Sequence, residues 1–174
     1  MARKKLIPDT AVFAEIRHLM AQGGEKAVSF STISQATGLA AATLVQRFGS
    51  RDAMLRAALA AAWDALEATT TQAEGDAALN AKGAQALLKA LGADAPETSD
   101  LTLLAADFRD PVLRARAETW RAQVETALAL RLGGGAKGRE TAALLFAAWQ
   151  GQMLWQMAGG KGFRLKDAVK RLSD

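Results

Sequence analysis

Apolar residues recur at helical spacing through almost the whole chain. Val12, Phe13, Ile16, Leu19 and Met20 return every three or four positions behind Pro8 and the capping pair Asp9-Thr10, and the run stops at Gly23-Gly24, so a first amphipathic helix is predicted there. Ser29 suits the cap of a short second helix, with Phe30, Ile33 and Ala36 inward, that stops at Gly38, where a left-handed turn costs least. A third helix is expected from Ala40 to Phe48, and a fourth from Ser50, past Trp63, to the region of Thr70. Beyond it the pattern predicts helices over Asp76–Leu91, after a loop at Gly92–Asp100 with Ser99 or Asp100 as cap, and over Pro111–Leu132 with Asp110 as cap. GGGAKG then breaks the chain before a strongly apolar helix over Glu140–Ala158, and GGKG separates a last one over Leu165–Leu172. No stretch alternates at period two for long enough to be a good strand, and no internal repeat is visible. The expectation is an all-α chain of about nine helices.

Residues 29 to 55 are the specific part. A short helix, a glycine turn and a second short helix make a helix-turn-helix, whose second helix enters the major groove of DNA. The run S-F-S-T-I-S-Q-A-T-G-L-A-A-A-T-L-V-Q-R-F-G-S-R-D-A-M-L resembles the DNA-binding segment of the tetracycline-repressor (TetR) family of bacterial regulators, in which I-A-x-x-A-G-V-S-x-x-T-L-Y-x-Y-F-x-S-K-E-x-L is usual. Ile33, Gly38, Thr43, Leu44, Phe48, Ser50, Arg51 (for Lys), Asp52 (for Glu) and Leu55 match it. LMAQGG in the first helix resembles the family's L-F-x-x-x-G, and DFRDPVLRARAETWRAQVETALAL and ETAALLFAAWQGQMLW look like its later helices. The resemblance implies a DNA-binding domain over residues 1–50 and a helical ligand-binding and dimerisation domain over residues 51–174.

The departures from that pattern have physical consequences. Ala40 stands where Ser often caps the recognition helix, and Ala41 and Ala42 replace polar and small residues. Alanines either let the helix approach the groove floor, where a methyl meets a thymine methyl, or serve only as good helix formers in an alanine-rich chain. By position, the resemblance places Thr43, Arg47, Ser50 and Arg51 near phosphates, as hydroxyls and guanidiniums suit. Gln46 carries an amide able to bridge N6 and N7 of adenine, or else is a solvated helix-face residue. Arg3, Lys4 and Lys5 form either an arm toward a groove or phosphate, or a solubilising tail.

Charge agrees with this division. Arg3, Lys4, Lys5, Arg17, Lys26, Arg47, Arg51 and Arg56 face only Asp9, Glu15, Glu25 and Asp52 in the first 60 residues, an excess equal to the net +4 of the whole chain, so the remainder balances. This suits either a basic module for a polyanion beside a neutral domain or an ordinary surface scatter of four charges. There is no Cys and one His, which excludes a thiolate or multi-histidine metal site; His18 is expected to be a surface or packing residue, and no cofactor is expected. With no nucleophile, metal or phosphate motif recognisable, the chain is not expected to be an enzyme. No apolar run is long enough for a span and none follows the basic N-terminus as a signal peptide requires, so a cytoplasmic protein without membrane partners is expected.

The helix over Glu140–Ala158 carries a second message. On a helical wheel Leu144, Ala147, Ala148, Gly151, Trp155 and Ala158 share one side, while Phe146, Trp149, Met153 and Met157 gather opposite. A helix apolar all round is buried on both faces, which predicts a homodimer through Ala147, Ala148, Gly151 and Trp155, and a dimer presents two recognition helices to a palindromic double-stranded operator. The resemblance also implies a small-molecule effector among the middle helices, where Leu103, Leu104, Phe108, Trp120, Val124, Trp149 and Met153 are candidate lining with Gln123 or Gln150 as polar contacts. The same aromatic and methionine positions are equally those of a plain core. The leading expectation is a one-component repressor that a ligand releases from its operator; the alternative is a hydrophobic-ligand or lipid carrier on the same fold that has lost DNA binding.

Overall fold

The computed structural model describes residues 7–93, 101–156, 158–159 and 161–173. Its described residues form nine α-helices and no strand: α1 Asp9–Gly23, α2 Phe30–Thr37, α3 Ala41–Phe48, α4 Arg51–Asp76, α5 Ala81–Ala93, α6 Leu101–Arg109, α7 Pro111–Arg131, α8 Gly135–Gln156 and α9 Leu165–Ser173, with a single 3-10 turn at Glu25–Ala27 between α1 and α2. Arg3, Lys4, Lys5, the Ser99 and Asp100 caps and Met157 lie outside the described residues, as do the side chains of Leu103 and Leu104.

Burial follows the apolar periods. Val12, Ile16 and Met20 of α1 are fully enclosed with Ile33 of α2, Leu44 of α3 and Met54 at the start of α4, so four helices share one small core. The 26 residues of α4 extend from that core, about 39 Å at the usual rise, into the packing of α5 and α7. Trp63 of α4, Trp120 of α7, and Phe146 and Trp149 of α8 form a continuous aromatic chain with centroid separations of 5.9, 5.8 and 5.8 Å. Trp120 Nε1 donates to the buried Thr70 hydroxyl at 2.8 Å, which satisfies the indole inside the core.

Three boundaries differ from the sequence expectation. Helix α4 runs to Asp76 rather than to Thr70. The hydroxyls of Thr69, Thr70 and Thr71 bond back to the carbonyls of Ala65, Leu66 and Glu67, and Arg131 of α7 donates Nη2 to the Glu74 and Ala77 carbonyls at 2.7 and 2.8 Å, capping the helix from a distance. Helix α5 starts at Ala81 rather than Asp76, because Asn80 Oδ1 accepts the Gly83 N–H. Helix α8 starts at Gly135, inside the supposed breaker. Gly133 and Gly134 make the turn with φ of 94° and 66°, whereas Gly138 is buried in α8, where a Cβ would lie 3.2 Å from the Ala129 carbonyl oxygen of α7. No helix among the described residues is long and apolar enough to cross a membrane.

Candidate nucleic-acid interface

Local chemistry fixes the two helices of the motif. Ser29 is extended, its Oγ accepts the Thr32 N–H at 3.1 Å, and Thr32 Oγ1 accepts the Ser29 N–H at 2.8 Å, so each residue satisfies the other's free backbone donor. Gly38 ends α2 at φ 73° and ψ 6°, the left-handed geometry that redirects the chain into α3 within two residues. Ala40 caps α3 with no side-chain hydrogen bond, and Ser50 Oγ accepts the Ala53 N–H to start α4. Leu44 is wholly buried, and the Phe48 ring packs on Phe13 at 5.8 Å, so one side of α3 is held against α1 and α2.

The opposite side of α3 is open. Ala41, Ala42, Val45 and Gln46 are exposed on one arc of about 140° at 100° per residue, and Val45 shows 45% of its surface. Thr43 is half-buried and Ser50 exposed at the two ends of this surface. The two arginines expected at phosphate have intramolecular partners. Arg47 Nη1 donates to the Ile7 carbonyl at 2.9 Å and to Asp9 Oδ1 at 3.0 Å, tying α3 to the entrance of α1. Arg51 Nε donates to the Val28 carbonyl at 2.7 Å and its Nη2 to the Glu25 carbonyl, with Nη1 on Asp52, so it staples α4 to the turn before α2. Sequence reasoning missed both roles and the exposure of Val45.

Residues 13–58 match the sequence model of bacterial regulatory proteins of the tetR family. The fold also matches a crystal structure described as a TetR-family transcriptional regulator from Rhodococcus sp., with TM-score 0.64 and 20% identity over 95% of this chain and 94% of that one. The helix-turn-helix of this chain is TetR-like. A second solved structure, a protein with unknown function from Rhodococcus sp. RHA1, gives TM-score 0.70 at 17% identity over 100% of this chain and 96% of that one. No curated protein matches the sequence. The likeness in fold extends over nearly the whole chain, and the likeness in sequence falls on the segment that holds the helix-turn-helix.

Behind this TetR domain, α4, α6, α7 and α8 enclose a cleft of about 770 Å³. Of the expected lining, Phe108, Trp120 and Gln150 face it. Val124, Trp149 and Met153 do not line it: Val124 is fully buried in the core, and Trp149 and Met153 pack toward Gly92 of α5. Gln123 instead donates to Glu74 at 2.8 Å. Trp63, Phe146 and Leu154 complete the apolar wall, with Arg114, Glu118 and Arg121 as the charged groups. The guanidinium of Arg121 sits 5.7 Å over the Phe146 ring.

Two ion pairs join the TetR domain to the corner between α6 and α7. Arg109 Nη2 meets Glu25 Oε1 at 2.6 Å, and Arg56 Nε meets Asp110 Oδ2 at 2.9 Å. Asp110 also caps α7 by accepting the Val112 and Leu113 N–H groups. Desolvation raises the pKa of its carboxyl, but those backbone bonds and the Arg56 guanidinium outweigh it and hold the group below its ordinary value. Phe108, at the wall of the cleft, immediately precedes Arg109, and its carbonyl accepts from Arg114 at 3.3 Å.

Helix α8 is partitioned as the wheel predicts. Phe146 and Trp149 are buried, whereas Ala147 and Ala148 are exposed with Leu144 at 56% and Trp155 at 70%. Gly151 lies between them, and a Cβ there would meet nothing within 4 Å.

Proposed function

We propose that this chain is a TetR-family regulator, a homodimeric repressor that lays α3 in the major groove of a palindromic operator and is released by a small, largely apolar molecule. The observation that carries the DNA-binding part is the open face of α3, held rigidly by Leu44, Phe48 and Arg47 at the position of a recognition helix. Thr43, Ser50 and the free N–H groups at the start of α4 supply phosphate donors, while Ala41, Ala42 and Gln46 face the bases. The exposed side of α8 with Ala147, Ala148, Gly151 and Trp155 supports two-fold pairing, because so much apolar surface on one helix is stable only when covered. Its small residues admit a close helix approach.

The cleft volume is in the range of drug-sized ligand sites, and its aromatic wall favours an apolar body. Phe108 offers a physical route from ligand to DNA. A molecule that moves Phe108 also moves Arg109 and Asp110, whose partners Glu25 and Arg56 belong to the TetR domain and the helix leaving it. Two such states with different ligand affinity are what release requires. Selection of bound sequences from a random duplex pool tests the reading: a palindromic consensus is expected. Absence of any duplex binding, with apolar molecules still bound in the cleft, transfers the weight to a hydrophobic-ligand carrier.

A further inference from the structure

Resting on the DNA-binding reading above, we propose that α3 selects an A·T-rich half-site and recognises it chiefly through thymine methyl groups. The site itself is given by the helix-turn-helix and the family match; what the open face of α3 adds is the chemistry of its readout. That face holds Ala41, Ala42, Val45 and Gln46 and no cationic head. Guanine is read most often by a guanidinium or ammonium donating to O6 and N7. The one arginine of α3, Arg47, projects from the other side and donates to Ile7 and Asp9, and Arg51 donates to Val28 and Glu25. All three nitrogens of Arg51 are engaged in this way, and Arg47 is anchored through Nη1 on the side of α3 away from the open face.

The groups that remain suit adenine and thymine. Gln46 Nε2 donates to adenine N7 while its Oε1 accepts from adenine N6, the bidentate pairing open to an amide. The methyls of Ala41, Ala42 and Val45 are short, rigid and apolar. In the major groove the apolar counterpart is the C5-methyl of thymine, and the alanines leave the helix free to come close enough to reach it. Each methyl removed from such a contact weakens binding by about fourfold.

The test uses the full chain and duplexes selected from a random pool. The consensus under α3 is expected to be A·T pairs. The selected duplex is then remade with deoxyuridine for thymine in one half-site at a time, which deletes the methyls and keeps every hydrogen-bonding group. Affinity is expected to fall by about fourfold for each contacted thymine. Val45→Ala, at an exposed position, shrinks the uracil penalty at the thymine that Val45 touches, whereas Gln46→Ala keeps that penalty and relaxes the preference for adenine. Equal affinity for thymine and uracil duplexes, or a consensus of G·C pairs under α3, overturns this inference and leaves DNA binding intact. Failure to bind any duplex at low salt overturns both, as expected if the apolar face of α3 serves another protein instead.

Discussion

Arg51 separates a structural arginine from a phosphate ligand, and Arg51→Ala measures which it is. Its Nε and Nη2 donate to the carbonyls of Val28 and Glu25, two backbone acceptors in the connection between α1 and α2. A hydrogen bond to a charged donor contributes about 1.5–3 kcal/mol when enclosed. The Arg51 side chain is 36% exposed, so water replaces part of each bond, and about 1 kcal/mol apiece is the appropriate scale. Arg51→Ala is therefore expected to destabilise the chain by about 2 kcal/mol, a fall in Tm of about 4–8 °C for a domain of this size. Arg51→Lys should recover at most half, because an ammonium lacks the planar fork that reaches two carbonyls. Thermal and urea unfolding give the stability term, and the dependence of duplex affinity on salt gives the phosphate term, which should keep its wild-type slope. An unchanged Tm together with a salt slope reduced by about one unit would refute the staple and restore Arg51 to the phosphates.

Gly151→Arg should fold normally, since nothing within 4 Å obstructs a side chain there, yet convert a dimer into monomers by placing a charge at the helix contact; sedimentation velocity at micromolar concentration reads this directly. Asp110 has a carboxyl pKa lowered from 3.8, so its contribution is complete above the unfolded value and is lost as pH falls through the lower folded one; Asp110→Asn, which keeps a capping oxygen but loses the Arg56 pair, should differ from wild type near neutrality and converge with it in acid, as pH-dependent urea unfolding will show. Ala117→Trp should fill the cleft between α4 and α8, so compounds that raise the wild-type Tm should leave this variant's Tm unchanged; a retained shift would place their site elsewhere.

Features specified by neighbours in the chain were legible in the sequence. The Ser29, Ser50 and Asp110 caps, the Gly38 turn and the two-sided partition of α8 each depend on residues within a turn or two, where periodicity and capping rules operate. What required the structure depends on partners distant in sequence. The end of α4 is set by Arg131, more than fifty residues away, and the roles of Arg47 and Arg51 by carbonyls in earlier segments. The cleft shows the same limit: Trp120 and Phe108 face it as their types suggest, but Trp149 and Met153, of equal apolar character, turn toward α5. Amino-acid type alone does not say on which side of an aromatic chain a cavity opens. Val45 is the converse case, an apolar residue whose exposure follows from the rotation of α3 fixed by Leu44 and Phe48.

On the proposed function, a dimer of this chain binds duplex DNA through two copies of α3. The most direct test is a titration of the purified chain into a fluorescently labelled duplex taken from the random-pool selection, followed by anisotropy over a range of salt concentrations, with the mass of the complex determined by sedimentation. Saturation is expected at two protomers per palindromic site, with affinity that falls steeply with salt and with loss of binding in Gly151→Arg. No binding to any duplex at low salt, or a complex of one protomer with undiminished affinity in Gly151→Arg, would contradict the proposed function.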